Sequence, residues 1–83
     1  MDRESVVELI TSYLANILHV PQAKIDVNVP FERYGLDSTA AAGLSGEIGE
    51  KLDLELSENV AFDYPTVASM ADYVSSLLIG QEV

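Results

Sequence analysis

Gly35-Leu36-Asp37-Ser38-Thr39-Ala40-Ala41-Ala42-Gly43-Leu44-Ser45-Gly46-Glu47-Ile48-Gly49-Glu50-Lys51-Leu52 joins the end of a loop to a complete helical period. Ala41, Leu44, Ile48 and Leu52 recur at spacings of three and four, so a helix is predicted over 38–52 with these residues on its buried stripe. The opposite face then carries Thr39, Ala42, Gly43, Gly46, Gly49 and Glu50 and is nearly bare of side chain. Each interior glycine costs about 1 kcal/mol relative to alanine, so this helix needs tertiary contacts to hold it. Gly35 closes the preceding loop, and Ser38 at the head of the helix presents its hydroxyl. Taken alone, Ser38 is an N-cap serine, with Asp37 adding favourable charge at the helix N-terminus.

Outward from this stretch the chain offers three further helical segments. On the N-terminal side, Val6, Leu9, Ile10, Tyr13, Leu14, Ile17 and Leu18 give an amphipathic period, predicting a helix over about 3–19, with Ser5 and Glu8 at capping-box spacing. Pro21 ends it, and 20–37 reads as a long structured loop. Ile25, Val27, Val29 and Phe31 alternate within that loop, but a lone strand has no edge to pair with, so they are expected to plug into the core. On the C-terminal side, a short helix is expected over about 58–63. A last helix over about 66–79 is capped by Thr66, carries Val67, Met70, Ala71, Val74, Leu77 and Leu78, and is closed by Gly80. The expected fold is all-α: one domain over 1–83, a small bundle of three main helices and one short one.

Composition narrows the function. The chain has 83 residues, 48% of them apolar, which argues for a packed core rather than disorder. A domain this size buries only roughly 60% of its unfolded surface, and here it does so without a disulfide. Lys and Arg number 4 against 14 Asp and Glu, a net charge of −10. That charge excludes a phosphate-neutralising role with nucleic acid, and partners should be basic. No apolar run approaches the ~20 residues of a membrane span. Met1-Asp2-Arg3-Glu4 lacks the opening of a secretory signal, so cytoplasm is the expected compartment.

Chemistry within the chain is sparse. There is no cysteine and one histidine, His19, near the end of the first helix, where a structural role beside the helix carbonyls suffices. No metal spacing is present, and Ser38 has neither a Gly-x-Ser-x-Gly elbow nor a nearby candidate base. No residue is therefore assigned as catalytic or metal-binding, and a separate enzyme is expected to modify Ser38. Glu47, Glu50, Asp53, Glu55 and Glu58 read as a solvated acidic surface that can steer basic partners. Tyr13, Tyr34, Tyr64, Tyr73 and Phe62 are core or rim residues by default.

Gly35-Leu36-Asp37-Ser38, the Leu44/Ile48/Leu52 helix, and Phe62-Asp63-Tyr64-Pro65-Thr66 before a final helix together resemble the acyl carrier protein family, over nearly the whole chain. The second motif is most similar to carriers of modular polyketide synthases. The resemblance implies a 4′-phosphopantetheine arm attached to Ser38, donated from coenzyme A by a phosphopantetheinyl transferase that supplies base and Mg²⁺. It implies that Asp37 is part of what the transferase recognises and that Gly35 and Leu36 shape the approach. It further implies acyl groups carried as thioesters to ketosynthase, acyltransferase and tailoring enzymes in polyketide or fatty-acid-like biosynthesis, by a monomeric, non-catalytic protein.

Departures from the family fall along the helix after Ser38. Thr39 replaces a large apolar residue, Gly43 stands where a glutamate often meets basic partners, and Gly46 and Gly49 follow. The expectation is that partners approach the backbone of this face, Thr39, Ala42, Gly43, Gly46 and Gly49, with charge supplied by Glu47 and Glu50. Relaxed constraint in a carrier with few partners is the competing reading. Two other functions stand beside acyl carriage: a peptidyl (aminoacyl) carrier of non-ribosomal peptide synthesis, and an acidic interaction module without an arm.

Overall fold

The computed structural model describes residues 2–81, and among them the chain is helical with no strand. Helix α1 runs Arg3–Leu18, α2 Ser38–Leu52, α3 Val60–Asp63 and α4 Val67–Gln81. Two 3₁₀ turns, Gln22–Lys24 and Phe31–Tyr34, punctuate the loop between α1 and α2. The fourth helix continues through Gly80, where a stop was expected from sequence.

The core follows from the helical period. Val6, Ile10 and Leu14 of α1, Leu44 and Ile48 of α2, and Val67, Met70 and Val74 of α4 are fully buried. Each set repeats at three or four residues, so three apolar stripes converge on one interior. Leu52, at the end of its stripe, is half-buried and packs on the edge of this core.

The long loop is part of the same interior. Ile25 and Phe31 are buried, Val27 packs against the core, and Val29 is half-buried. In place of strand pairing, this segment bonds to the start of α4: the Ala68 N–H donates to the Val27 carbonyl (3.0 Å), and the Phe31 N–H to the Pro65 carbonyl (2.8 Å). The Tyr34 hydroxyl both accepts from the Asp26 N–H (2.7 Å) and donates to the Asp26 carbonyl (3.1 Å). Gln22 reaches back to α1, donating to the Thr11 hydroxyl at 3.0 Å.

The helix ends show which cap residues are used. Thr66 accepts from the Ser69 N–H at 3.0 Å and caps α4. At α1 the Ser5/Glu8 capping box gives way to Asp2, whose carboxylate accepts from the Ser5 N–H at 2.9 Å. That hydrogen bond holds the Asp2 carboxyl below the usual carboxylate range. Asp2 and Ser5 are both good cap formers; Asp2 takes the role, and Arg3, the first helical residue, pairs with Asp72 of α4. At the other end of α1, exposed His19 takes a left-handed conformation (φ 58°) and closes the helix.

Candidate functional site

Four consecutive residues set the geometry around Ser38, each by a separate interaction. Gly35 has φ 86°, a left-handed conformation costly for any side chain, and turns the chain out of the second 3₁₀ turn with its N–H on the Glu32 carbonyl. Leu36 is buried, and its N–H donates to the Phe31 carbonyl at 3.3 Å, which anchors the turn in the core. Asp37 is the N-cap of α2: its carboxylate accepts from the Ala40 N–H at 2.8 Å and its carbonyl from the Ala41 N–H at 2.9 Å. Ser38 follows as the first helical residue and is exposed.

This reverses the cap expected from sequence. Asp37 satisfies the orphan amide, so Ser38 is spared that task. Among the described residues the Ser38 hydroxyl enters no hydrogen bond. An exposed, unengaged hydroxyl held by a buried leucine and a capped helix end fits a covalently attached group.

Two clefts open at Ser38. One, of about 480 Å³, lies between the second 3₁₀ turn, α2 and α3 and is lined largely by Phe31, Leu36, Ala41 and Ala61, with Glu32 and Asp37 also present. The other, of about 390 Å³, is lined by Thr39, Ala42, Glu58 and Asn59. Phe62 belongs to both walls. It is 54% exposed rather than a core residue, because α3 is a single turn whose inner face is taken by Val60 and Ala61.

The residues expected on the open face of α2 divide. Thr39, Gly43, Gly46 and Glu50 are exposed and Ala42 is half-buried. Gly49 is buried, which corrects its place on that face: a Cβ there would lie 2.8 Å from the Leu54 carbonyl oxygen and 3.4 Å from the Leu56 side chain. The chain after Asp53 folds back over Gly49, with the Leu54 N–H donating to the Gly49 carbonyl at 2.8 Å. Glu47 is half-buried, pairs with Lys51 at 3.9 Å, and lines a separate cleft between α1 and α2.

One site-building residue has no counterpart in the sequence reading. Ser45 is fully buried in α2; its hydroxyl donates to the Ala41 carbonyl and accepts from the Ala61 N–H, both at 3.1 Å. That second bond ties α3, and with it Phe62, to α2. The available signal was a polar residue within the apolar stripe formed by Ala41, Leu44 and Ile48, since such a residue needs a buried partner.

Chemically, the titratable side chains lining the two clefts are the carboxyls of Glu32, Asp37 and Glu58. Among the described residues no cluster of three or more His, Cys, Asp or Glu could hold a metal. The arrangement offers a presented hydroxyl beside two mainly apolar recesses.

Comparison with known proteins bears on the chain as a whole. The family described as "Phosphopantetheine attachment site" matches residues 8–74. Polyketide synthase ThaG of Burkholderia thailandensis is 38% identical over 64 residues, 77% of this chain. Erythronolide synthase EryA2 of Saccharopolyspora erythraea is 33% identical over 79 residues, 94% of this chain. The chain spans only 1% and 2% of the lengths of these two relatives. Among solved structures, a free-standing peptidyl carrier protein from Acinetobacter baumannii is similar with a TM-score of 0.86 and 34% identity, covering 93% of this chain and 96% of that one. BlmI, a type-II acyl carrier protein from Streptomyces verticillus, is similar with a TM-score of 0.81 and 28% identity, over 92% of this chain and 89% of that one.

Proposed function

The chain belongs to the phosphopantetheine attachment-site family of carrier domains, which bind 4′-phosphopantetheine covalently, and we propose that Ser38 is the attachment point and that the domain is an acyl carrier of polyketide or fatty-acid-like biosynthesis. The observation that carries this is the division of labour at the head of α2. Asp37 caps the helix, and Ser38, one residue on, is exposed and unengaged.

In the loading step the Ser38 Oγ forms a bond to the phosphorus that links pantetheine in coenzyme A. Its proton passes to a base of the transferase, and the phosphorus–oxygen bond to 3′,5′-ADP breaks. The attached arm supplies a terminal thiol that holds acyl groups as thioesters. The chain's own residues orient and present: Gly35 and Leu36 fix the approach, and Asp37 holds the first turn and offers charge to the transferase. Thr39, Ala42, Gly43, Gly46 and Glu50 form the face that ketosynthase, acyltransferase and tailoring enzymes meet. The net charge of −10 draws basic partners to a monomeric domain working in the cytoplasm. No described helix is long and apolar enough to cross a membrane.

Intact-mass measurement after incubation with a broad-specificity transferase and coenzyme A tests the attachment. The wild-type chain gains one phosphopantetheine and Ser38→Ala gains none; a gain on the alanine variant, or none on the wild type, overturns the assignment. The 34% identity to a peptidyl carrier structure supports a second reading, aminoacyl carriage on the same serine. Loading by an amino-acid-activating enzyme in preference to an acyltransferase would favour it.

A further inference from the structure

The chain reaches Ser38 through the second 3₁₀ turn, and that turn is fastened at both ends. At its first residue the Phe31 ring is buried and the Phe31 N–H donates to the Pro65 carbonyl at 2.8 Å. At its last residue, Tyr34, the ring packs against the core. The Tyr34 hydroxyl accepts from the Asp26 N–H at 2.7 Å and donates to the Asp26 carbonyl at 3.1 Å. It thus fastens the turn where the turn hands over to Gly35-Leu36-Asp37-Ser38.

Asp26 is a fixed point to bond to. Its carboxylate accepts from the Asn28 N–H at 2.9 Å, and the neighbouring Val27 carbonyl accepts from the Ala68 N–H at 3.0 Å. Pro65 and Ala68 flank the start of α4. Both ends of the turn are therefore referred to one corner of the molecule, the first directly and the second through Tyr34 and Asp26. The N–H groups of Gly35 and Leu36, by contrast, bond only to the Glu32 and Phe31 carbonyls, within the turn itself. Their placement is inherited from it. A single 3₁₀ turn has poor hydrogen-bond geometry and little stability of its own. Freed at Tyr34 it samples several positions, only a fraction of them competent, and apparent affinity for an enzyme that needs one of them falls by that fraction.

Resting on Ser38 as the attachment point, we propose that the Tyr34 hydroxyl is a positioning group for loading of the arm. By fastening the second 3₁₀ turn to Asp26 it holds Gly35, Leu36 and Asp37 in the arrangement in which the transferase meets Ser38. Tyr34→Phe keeps the ring and removes only this tie.

Loading kinetics are measured with a broad-specificity transferase at varied carrier and coenzyme A, on chains whose fold is checked by circular dichroism. Tyr34→Phe should raise KM for the carrier about three- to tenfold, the effect of one hydrogen bond, and leave kcat and the KM for coenzyme A unchanged. In the free carrier this variant should lose amide protection at Gly35 and Leu36 and keep it at Met70, whose N–H bonds to the Thr66 carbonyl. Two controls should load like the wild type. Asp26→Asn keeps the backbone groups that Tyr34 uses and removes the charge, and Ile10→Val trims one methylene from the buried core. A Tyr34→Phe chain that does not fold, that loads with wild-type KM, or that loses kcat instead overturns the inference. So does a raised KM with protection at Gly35 and Leu36 intact, which would make the hydroxyl a direct contact of the transferase. An equal rise in Asp26→Asn or in Ile10→Val overturns it too, by assigning the effect to charge or to stability. All these outcomes leave the attachment at Ser38 standing, whereas no mass gain on the wild-type chain overturns both.

Discussion

Gly46 and Gly49 lie one turn apart on α2, and a Cβ added at Gly46 meets nothing within 4 Å, whereas one at Gly49 falls 2.8 Å from the Leu54 carbonyl oxygen. The same residue type thus serves opposite ends at two neighbouring positions of one helix. At Gly49 the absent side chain lets the 53–56 segment cross α2 in backbone contact and turn toward α3. At Gly46 it leaves the surface open, and the helix carries an entropic cost there with no packing in return. Where the 53–56 segment covers it at Gly49, α2 leads the chain toward α3; at Gly46 the helix stays accessible.

Substitutions along α2 should separate these roles. The largest effect on stability is expected from Ser45→Ala, which leaves the Ala61 N–H buried without its partner at a cost of about 1–3 kcal/mol. Denaturant midpoints read this directly, and an unchanged midpoint would mean that α3 is held by apolar contacts alone. Gly49→Ala comes next. Its Cβ would meet a carbonyl that cannot rotate away, so overpacking of about 1–3 kcal/mol outweighs the helix-propensity gain. A midpoint raised by this change would show that the 53–56 segment yields freely.

Gly46→Ala should move the midpoint the other way, by up to about 1 kcal/mol, since the methyl enters open space in a helix interior. A loss of stability at Gly46 would erase the contrast between the two positions. The smallest effect concerns the far end of the molecule. Asp2 has its carboxyl lowered by the bond from the Ser5 N–H, so its contribution to α1 is complete above the unfolded carboxyl value of about 3.9 and is lost as pH falls through the lower folded value. Loss of Ser5 amide protection, taken relative to the intrinsic exchange rate at each pH, should appear on acidification in the wild type and not in Asp2→Asn. Equal pH dependence in both would place the change elsewhere.

How far each part was legible follows from the range of the interaction that fixes it. Val6, Ile10, Leu14, Leu44, Ile48, Met70 and Val74 announce their burial by period alone, and all are buried. The prominence of Ser38 could be read because Gly35 and the helical stripe after it mark a loop–helix junction. Its freedom from capping could not, since Asp37 and Ser38 are both cap formers and a one-residue shift in the helix start exchanges their roles. The start falls where Leu36 reaches the core. Gly49 was misplaced because a helical wheel counts side chains and takes no account of a later segment crossing the backbone. Phe62 was read as core or rim because a one-turn helix has no period to orient it.

The sequence by itself determined the four helices, the apolar stripes that join them and the presented serine, because those rest on local spacing and on chemistry within a few residues. Only the tertiary structure decided which of Asp37 and Ser38 caps α2, that α2 is open at Gly46 and covered at Gly49, and where Phe62 stands between two clefts. Each of these depends on contacts between segments distant along the chain: Leu36 against the core, Leu54 over Gly49, and Ser45 on the Ala61 N–H.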